Sequence, residues 1–108
     1  MKSFCKQFSG ERLVGSRSMK LRVDLSGEWV AVSGRMYVTD KRLRFYMDIF
    51  ESELINLRLT DIRGFSTGRT FVIPTVTIQR KDGEEYFLTG FQTRNLRKWL
   101  ELLGAAKL

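Results

Sequence analysis

The chain has 108 residues, with 19 Lys or Arg against 12 Asp or Glu and a formal net charge of +7. That is one domain's length, enough to bury a core without metals or disulfides, and 43% hydrophobic with 29% charged residues is a globular rather than a disordered composition. The absence of histidine removes imidazole catalysis and histidine metal sites, and the single cysteine, Cys5, removes intrachain disulfides and cysteine zinc clusters and fits a reducing, intracellular setting.

Residues 1–9 read as an N-terminal extension ahead of one domain over residues 10–108. Phe4 and Phe8 stand at i and i+4 around Cys5, with Lys2 and Lys6 beside them. Such a stub either lies as one turn of interfacial helix with a basic rim or packs on the domain. The polar interruptions between Phe4 and Phe8 do not suit a secretory signal. Apolar runs such as Trp29–Val32 are four residues long, against the ~20 that a spanning helix needs.

Period-two alternation then dominates. Met19, Leu21, Val23 and Leu25 alternate with Lys20, Arg22 and Asp24 up to a turn at Ser26-Gly27-Glu28. Trp29 to Val32 continue in a second strand, where Gly34 marks a bulge or a close backbone approach. Met36 and Val38 share one face. After a tight turn at Asp40-Lys41, Leu43, Phe45 and Met47 oppose Arg42, Arg44 and Tyr46, and Ile55 and Leu57 continue the pattern. The sum is an antiparallel meander with one wet face. Arg63 to Gly68 reads as a short strand between two turns, and Pro74 as an edge, bulge or strand start. Asp82-Gly83 signals a hairpin, with Glu85 to Phe91 returning.

After Phe91 the period changes. Leu96, Trp99, Leu100 and Leu103 fall at i, i+3, i+4 and i+7, predicting an amphipathic helix over about 93–103. Thr93 is the expected N-cap and Gly104 the stop, with Arg97, Lys98 and Glu101 toward solvent. The predicted class is mainly β (α+β), with about seven antiparallel strands in a barrel or orthogonal sandwich capped by a C-terminal helix. Phe45, Phe87, Phe91 and Trp99 are expected in the core.

The run Gly34-Arg35-Met36-Tyr37-Val38-Thr39-Asp40-Lys41-Arg42-Leu43-Arg44-Phe45-Tyr46 resembles the signature of GRAM and bacterial PH-like domains of the pleckstrin-homology superfold. Leu59-Thr60-Asp61-Ile62, the Asp82-Gly83 turn before Tyr86-Phe87, Arg94 opening the helix, and Gly10-Glu11 at the start fit the same family. The resemblance runs from about Gly10 to Leu103. It implies a PH-like barrel working as a non-catalytic binding module, and it makes Arg42 more a structural tie of a strand to the sheet or helix than a ligand contact.

Function is read from the basic surplus. Outward positions on the early strands offer Lys20, Arg22, Arg42, Arg44 and Arg58 as candidate contacts to anionic lipid headgroups, at about 1 kcal/mol per cation near an acidic membrane. The plainer reading is a solvated face, with Asp24, Glu51 and Glu53 pairing some of the charge. The turn Ser26-Gly27-Glu28 carries no cation, which argues for diffuse attraction rather than stereospecific inositol-phosphate recognition. The alternative is a protein-interaction or oligomerisation domain using the helix groove or a sheet edge. Nucleic-acid binding fits least: Arg63-Gly64-Phe65-Ser66 lacks the later aromatics of an RNA-recognition strand. No constellation for catalysis or for a phosphate-binding loop is present, so no cofactor is expected. The setting is cytoplasmic, or peripheral at a membrane.

Overall fold

The computed structural model describes residues 10–49 and 52–108. The expected extension over 1–9 and the carboxylate of Glu51 lie outside the described residues. Seven strands follow the chain: β1 (Leu13–Leu25), β2 (Glu28–Thr39), β3 (Arg42–Met47), β4 (Glu53–Arg58), β5 (Ile62–Thr70), β6 (Ile73–Arg80) and β7 (Glu85–Thr89). Helix α1 (Thr93–Leu102) comes last. The strands form one antiparallel sheet in the order β4-β3-β2-β1-β7-β6-β5.

That sheet is folded on itself. One apolar cluster joins Met19 and Leu21 of β1, Met36 and Val38 of β2, Leu43 and Phe45 of β3, and Ile55 and Leu57 of β4. The same cluster takes in Ile62 and Phe65 of β5, Val76 and Ile78 of β6, Leu88 of β7, and Leu96 and Leu100 of α1. A flat sheet could not bring its two edge strands into a single core, so β1 must turn the corner between halves. It meets β7 at only Lys20↔Thr89 and Leu21↔Leu88, while its pairing with β2 runs from Leu13 to Leu25.

Local chemistry sets the turns. Ser26 and Gly27 both have positive φ, 49° and 89°, the two-residue geometry whose twist matches that of the flanking strands. Gly34 sits inside β2 without a bulge. A side chain there would overlap the Tyr46 carbonyl oxygen and the Phe45 ring across the pair, so the glycine permits a close approach. At Asp82-Gly83 the hairpin closes with Gly83 at φ 98°, and the Glu84 N–H donates to Asp82 Oδ1 at 3.0 Å. Pro74 is the second residue of β6, between β5 and β7, and its carbonyl accepts from the Gly90 N–H at 3.1 Å.

Arg63 to Gly68 does not form a short strand between turns. It belongs to the continuous strand β5, with a register shift between Ile62 and Gly64. The edge of β5 is partly occupied by the chain's own tail: the Phe65 N–H donates to the Ala106 carbonyl at 2.9 Å, and the Leu108 N–H to the Phe65 carbonyl at 2.7 Å.

The helix buries Leu96 and Leu100 fully, with Trp99 and Leu103 half-buried beside them. Trp99 lies against Gly15, where a β-carbon would overlap the indole, and the Arg17 guanidinium sits 5.8 Å from its ring centroid. The stop at Gly104 is as expected: φ is 85°, the Gly104 N–H donates to the Glu101 carbonyl and the Ala105 N–H to that of Leu100. This is the reciprocal pair of a Schellman motif.

Three expectations around the helix are corrected. Thr93 is its first residue rather than its N-cap, which is Gln92. The buried Thr93 hydroxyl lies 2.6 Å from the Gly90 carbonyl and 3.1 Å from that of Pro74, so it ties the helix to β6. Arg97 is half-buried rather than turned to solvent. Phe91 is 58% exposed and outside the core, because it follows Gly90, whose φ of 129° breaks the strand before the helix begins.

Candidate functional site

The five cations singled out from the sequence fall into two groups on the outer face of β1–β4. Lys20 lies opposite Ser33 on β2 and Arg22 opposite Ala31. Arg44 lies opposite Tyr37, four residues further along that strand, and Arg42 is beyond it at the turn. At ~3.3 Å per residue, the groups are more than about 13 Å apart along β2.

The second group belongs largely to the fold. Arg42 Nε is 2.8 Å from Glu11 Oε2. That contact is electrostatic, because Nε makes no aligned hydrogen bond. The Arg42 Nη1 donates to Asn56 Oδ1 at 3.3 Å. The Thr39 hydroxyl, wholly buried, donates to Glu11 Oε1 at 2.8 Å and accepts from the Lys41 and Arg42 N–H groups at 3.1 and 3.0 Å. Asp40 adds a two-way link, its N–H donating to the Arg12 carbonyl and its Oδ1 accepting from the Arg12 N–H, each at 3.0 Å. The Thr39-Asp40-Lys41-Arg42 run thus clamps Glu11 and Arg12 to the β2–β3 turn.

Arg44 is not an open cation of an outward strip. It is 8% exposed, donates to Glu53 Oε2 at 2.5 Å and stacks 5.5 Å from the Tyr46 ring centroid. The hydrogen bond to Glu53 raises its pKa against the opposing effect of burial. Burial, helped by the Glu53 carboxylate, also pushes the Tyr46 phenol above its ordinary value. Arg58, whose Cα pairs with that of Arg42 across β3 and β4, is exposed at the sheet edge.

Lys20 and Arg22 sit instead on a groove of about 590 Å³ at the other end of the sheet. Trp29 and Ala31 of β2, Ile73 of β6, Phe87 of β7 and Phe91 give it an apolar lining. Lys20 and Arg22 are exposed. Arg22 stacks 5.1 Å from the Trp29 ring centroid and pairs with exposed Asp24 at 3.2 Å. Such a surface pair contributes about 0–1 kcal/mol and yields readily to a stronger anion.

The β5–β6 turn stands beside this groove, since Thr70 and Ile73 on either side of its tip line it. The tip is Phe71-Val72, 93% and 72% exposed. Phe71 holds φ at 57°, a left-handed conformation that costs a β-carbon-bearing residue about 1–2 kcal/mol and glycine almost nothing. Trp29 and Phe91 are each 58% exposed. Phe87, expected in the core, is half-buried and lines this groove instead, and neither the tip nor Phe91 was identified from the sequence as a surface feature. The available signal was the pairing of two large apolar residues, Phe71-Val72, just ahead of a proline.

The folded-over seven-stranded sheet closed by a C-terminal helix defines the class: this chain has a PH-like fold. No protein-family model matches it, and no curated protein matches its sequence. Among solved structures it superimposes on the C-terminal domain of an unknown protein from Leishmania infantum with a TM-score of 0.72 at 17% identity, covering 94% of this chain and 92% of that one. A linker-DH/PH fragment of p115-RhoGEF gives 0.64 at 17% identity over 95% of this chain. The DH/PH fragment of PDZRHOGEF, solved in complex with human RhoA, gives 0.62 at 14% identity over 94%. This chain spans 33% and 30% of those two RhoGEF chains. Among the described residues, no helix is long and apolar enough to cross a membrane.

Proposed function

We propose that this domain is a non-catalytic binding module of GRAM type that docks reversibly on anionic membrane surfaces, with Phe71-Val72 as the inserting tip and Lys20 and Arg22 as the headgroup contacts. The observation that carries the reading is Phe71. Folding gains nothing from an aromatic ring that is 93% exposed at a left-handed turn position, where glycine would relieve the strain. What supports the GRAM type is the Thr39–Arg42 clamp on Glu11.

The magnitudes suit reversible docking. Full burial of Phe and Val side chains contributes about 1.5–3 kcal/mol each, and Lys20 and Arg22 about 1 kcal/mol each at an acidic surface. The cost of association reduces that total. Arg42 and Arg44, already paired with carboxylates, contribute mainly to the fold in this reading, and Arg58 is a peripheral cation.

The test is co-sedimentation with phosphatidylcholine vesicles, with and without phosphatidylserine, at about 0.05 and about 0.5 M NaCl. Binding is expected to anionic vesicles only, to weaken at high salt, and to be lost in Phe71→Ser and in Lys20→Glu/Arg22→Glu. Failure to bind anionic vesicles at low salt overturns the reading. The rival is then a protein ligand in the same apolar groove, favoured by the exposure of Trp29 and Phe91. A PH-like neighbour does occur in a protein complex, that of the PDZRHOGEF fragment with RhoA, and binding of that kind would survive moderate salt.

A further inference from the structure

On the other side of the Phe71-Val72 turn lies a second cavity, of about 430 Å³, between the end of β5, the start of β6 and the first turns of α1. Arg69, Arg94 and Arg97 line it together with Thr67, Thr75 and Thr93, and no carboxylate does. Elsewhere among the described residues, Arg22, Arg42, Arg44 and Arg80 are each paired with an acid, while Arg12, Arg17, Arg35, Arg58 and Arg63 are in no ion pair. Among the described residues, none of the three cavity arginines lies in an ion pair. The Nε of Arg97 is shut off from solvent and has no hydrogen-bond acceptor.

Folding alone gives no reason for this grouping. Arg94 and Arg97 are three residues apart on one helix face, where like charges repel. Arg94 stands in the first turn of α1, which has no acidic residue, and cations are disfavoured there by the helix dipole. The backbone amides of that turn are not waiting for a ligand. Those of Thr93, Arg94 and Asn95 already donate to the carbonyls of Gly90, Phe91 and Gln92 at 3.0–3.3 Å. The recognition chemistry is therefore in the side chains: planar guanidinium forks that match paired phosphate oxygens, with the Thr67 and Thr75 hydroxyls as neutral partners.

We infer that this cavity is a second binding site, distinct from the Lys20/Arg22 groove, and that it takes a ligand bearing a phosphomonoester or diphosphate group. The volume is that of a small-molecule site, and a multiply charged phosphate supplies the acceptors that three guanidiniums lack. The inference stands whether or not the domain docks on membranes. The phosphate can belong to a free small molecule or to a lipid headgroup brought alongside by the Phe71-Val72 tip.

The test is titration of ¹⁵N-labelled protein with inorganic pyrophosphate in about 0.15 M NaCl, following backbone and arginine Nε–H signals. A saturable shift is expected at Arg69, Arg94, Arg97 and Thr75, with Lys20 and Arg22 unmoved. Arg69→Gln/Arg94→Gln removes two exposed side chains, so the fold is kept, and it weakens binding by about tenfold or more. Lys98→Gln, outside the cavity lining, leaves binding unchanged. Vesicles containing phosphatidic acid, compared with phosphatidylserine vesicles of equal charge, separate the sources. A preference for phosphatidic acid that the double substitution removes marks a lipid-borne phosphate; saturable pyrophosphate binding without that preference marks a soluble one. Absence of a saturable shift overturns the inference. So does a shift spread equally over Lys20, Arg58 and the cavity arginines and unaffected by the double substitution.

Discussion

Thr39→Val tests whether the β2–β3 clamp holds the start of the domain in place. The substitution keeps the shape of a fully buried side chain and removes its hydroxyl. Glu11 Oε1 then loses a 2.8 Å donor, and the Lys41 and Arg42 N–H groups lose acceptors at 3.1 and 3.0 Å. The Glu11 side chain is only 10% exposed, so water replaces that donor poorly. Leaving a largely buried polar group unpaired costs about 1–3 kcal/mol. The Lys41 amide, on an exposed residue, recovers more of its loss from solvent. With the added methyl offsetting part of the deficit, the net destabilisation is about 2–3 kcal/mol. For a chain of this size that lowers Tm by about 10–20 °C. Thr39→Ser keeps the hydroxyl and loses one methyl, about 1 kcal/mol. Urea unfolding followed by the fluorescence of Trp29 and Trp99 measures both. If Thr39→Val is as stable as Thr39→Ser, or more so, the clamp contributes by shape alone and the reasoning fails.

Gly34→Ala drives a methyl into the Tyr46 carbonyl and the Phe45 ring; because one obstacle is backbone, the expected cost is about 3 kcal/mol, read as a lowered denaturation midpoint. Phe71→Gly relieves left-handed strain at an exposed position, so its stability should equal or exceed that of the parent while its sedimentation with anionic vesicles falls; a stability loss above about 1 kcal/mol would mean the ring serves the fold. The Tyr46 phenol has its pKa raised above 10.0, by burial first. The folded state therefore holds that proton more tightly than the unfolded chain. Its contribution to stability is complete below pH about 10 and declines as pH rises past that value toward the folded-state pKa. Urea midpoints at pH about 8 and about 11 should show a smaller fall for Tyr46→Phe than for the parent; equal falls would place the titration elsewhere.

Most of the fold was legible because it is written in short-range periods. Alternation in Met19–Val23 and Leu43–Met47, the Asp82-Gly83 hairpin and the i, i+3, i+4 spacing of Leu96, Trp99 and Leu100 each bury one face whatever the neighbours are. The turn signals failed at Arg63–Gly68, where pairing along β6 carried the strand through two glycines. Phe91 was misplaced because it lies between two periods, after a glycine at φ 129°.

The candidate site divides along the same line. The sequence determined that the outer face of the early strands is cationic and that Lys20 and Arg22 share it, since alternation alone puts them there. Which cations stay open was decided by the tertiary structure. Arg42 meets Glu11 from far back in the chain, Arg44 meets Glu53 across a strand pair, and no periodicity announces either partner. The apolar groove and the arginine cavity on either side of Phe71-Val72 likewise exist only once β1, the β5–β6 turn and the first turns of α1 are brought together. Charge direction is a local property of a strand; charge compensation depends on whichever distant side chain the fold sets within reach.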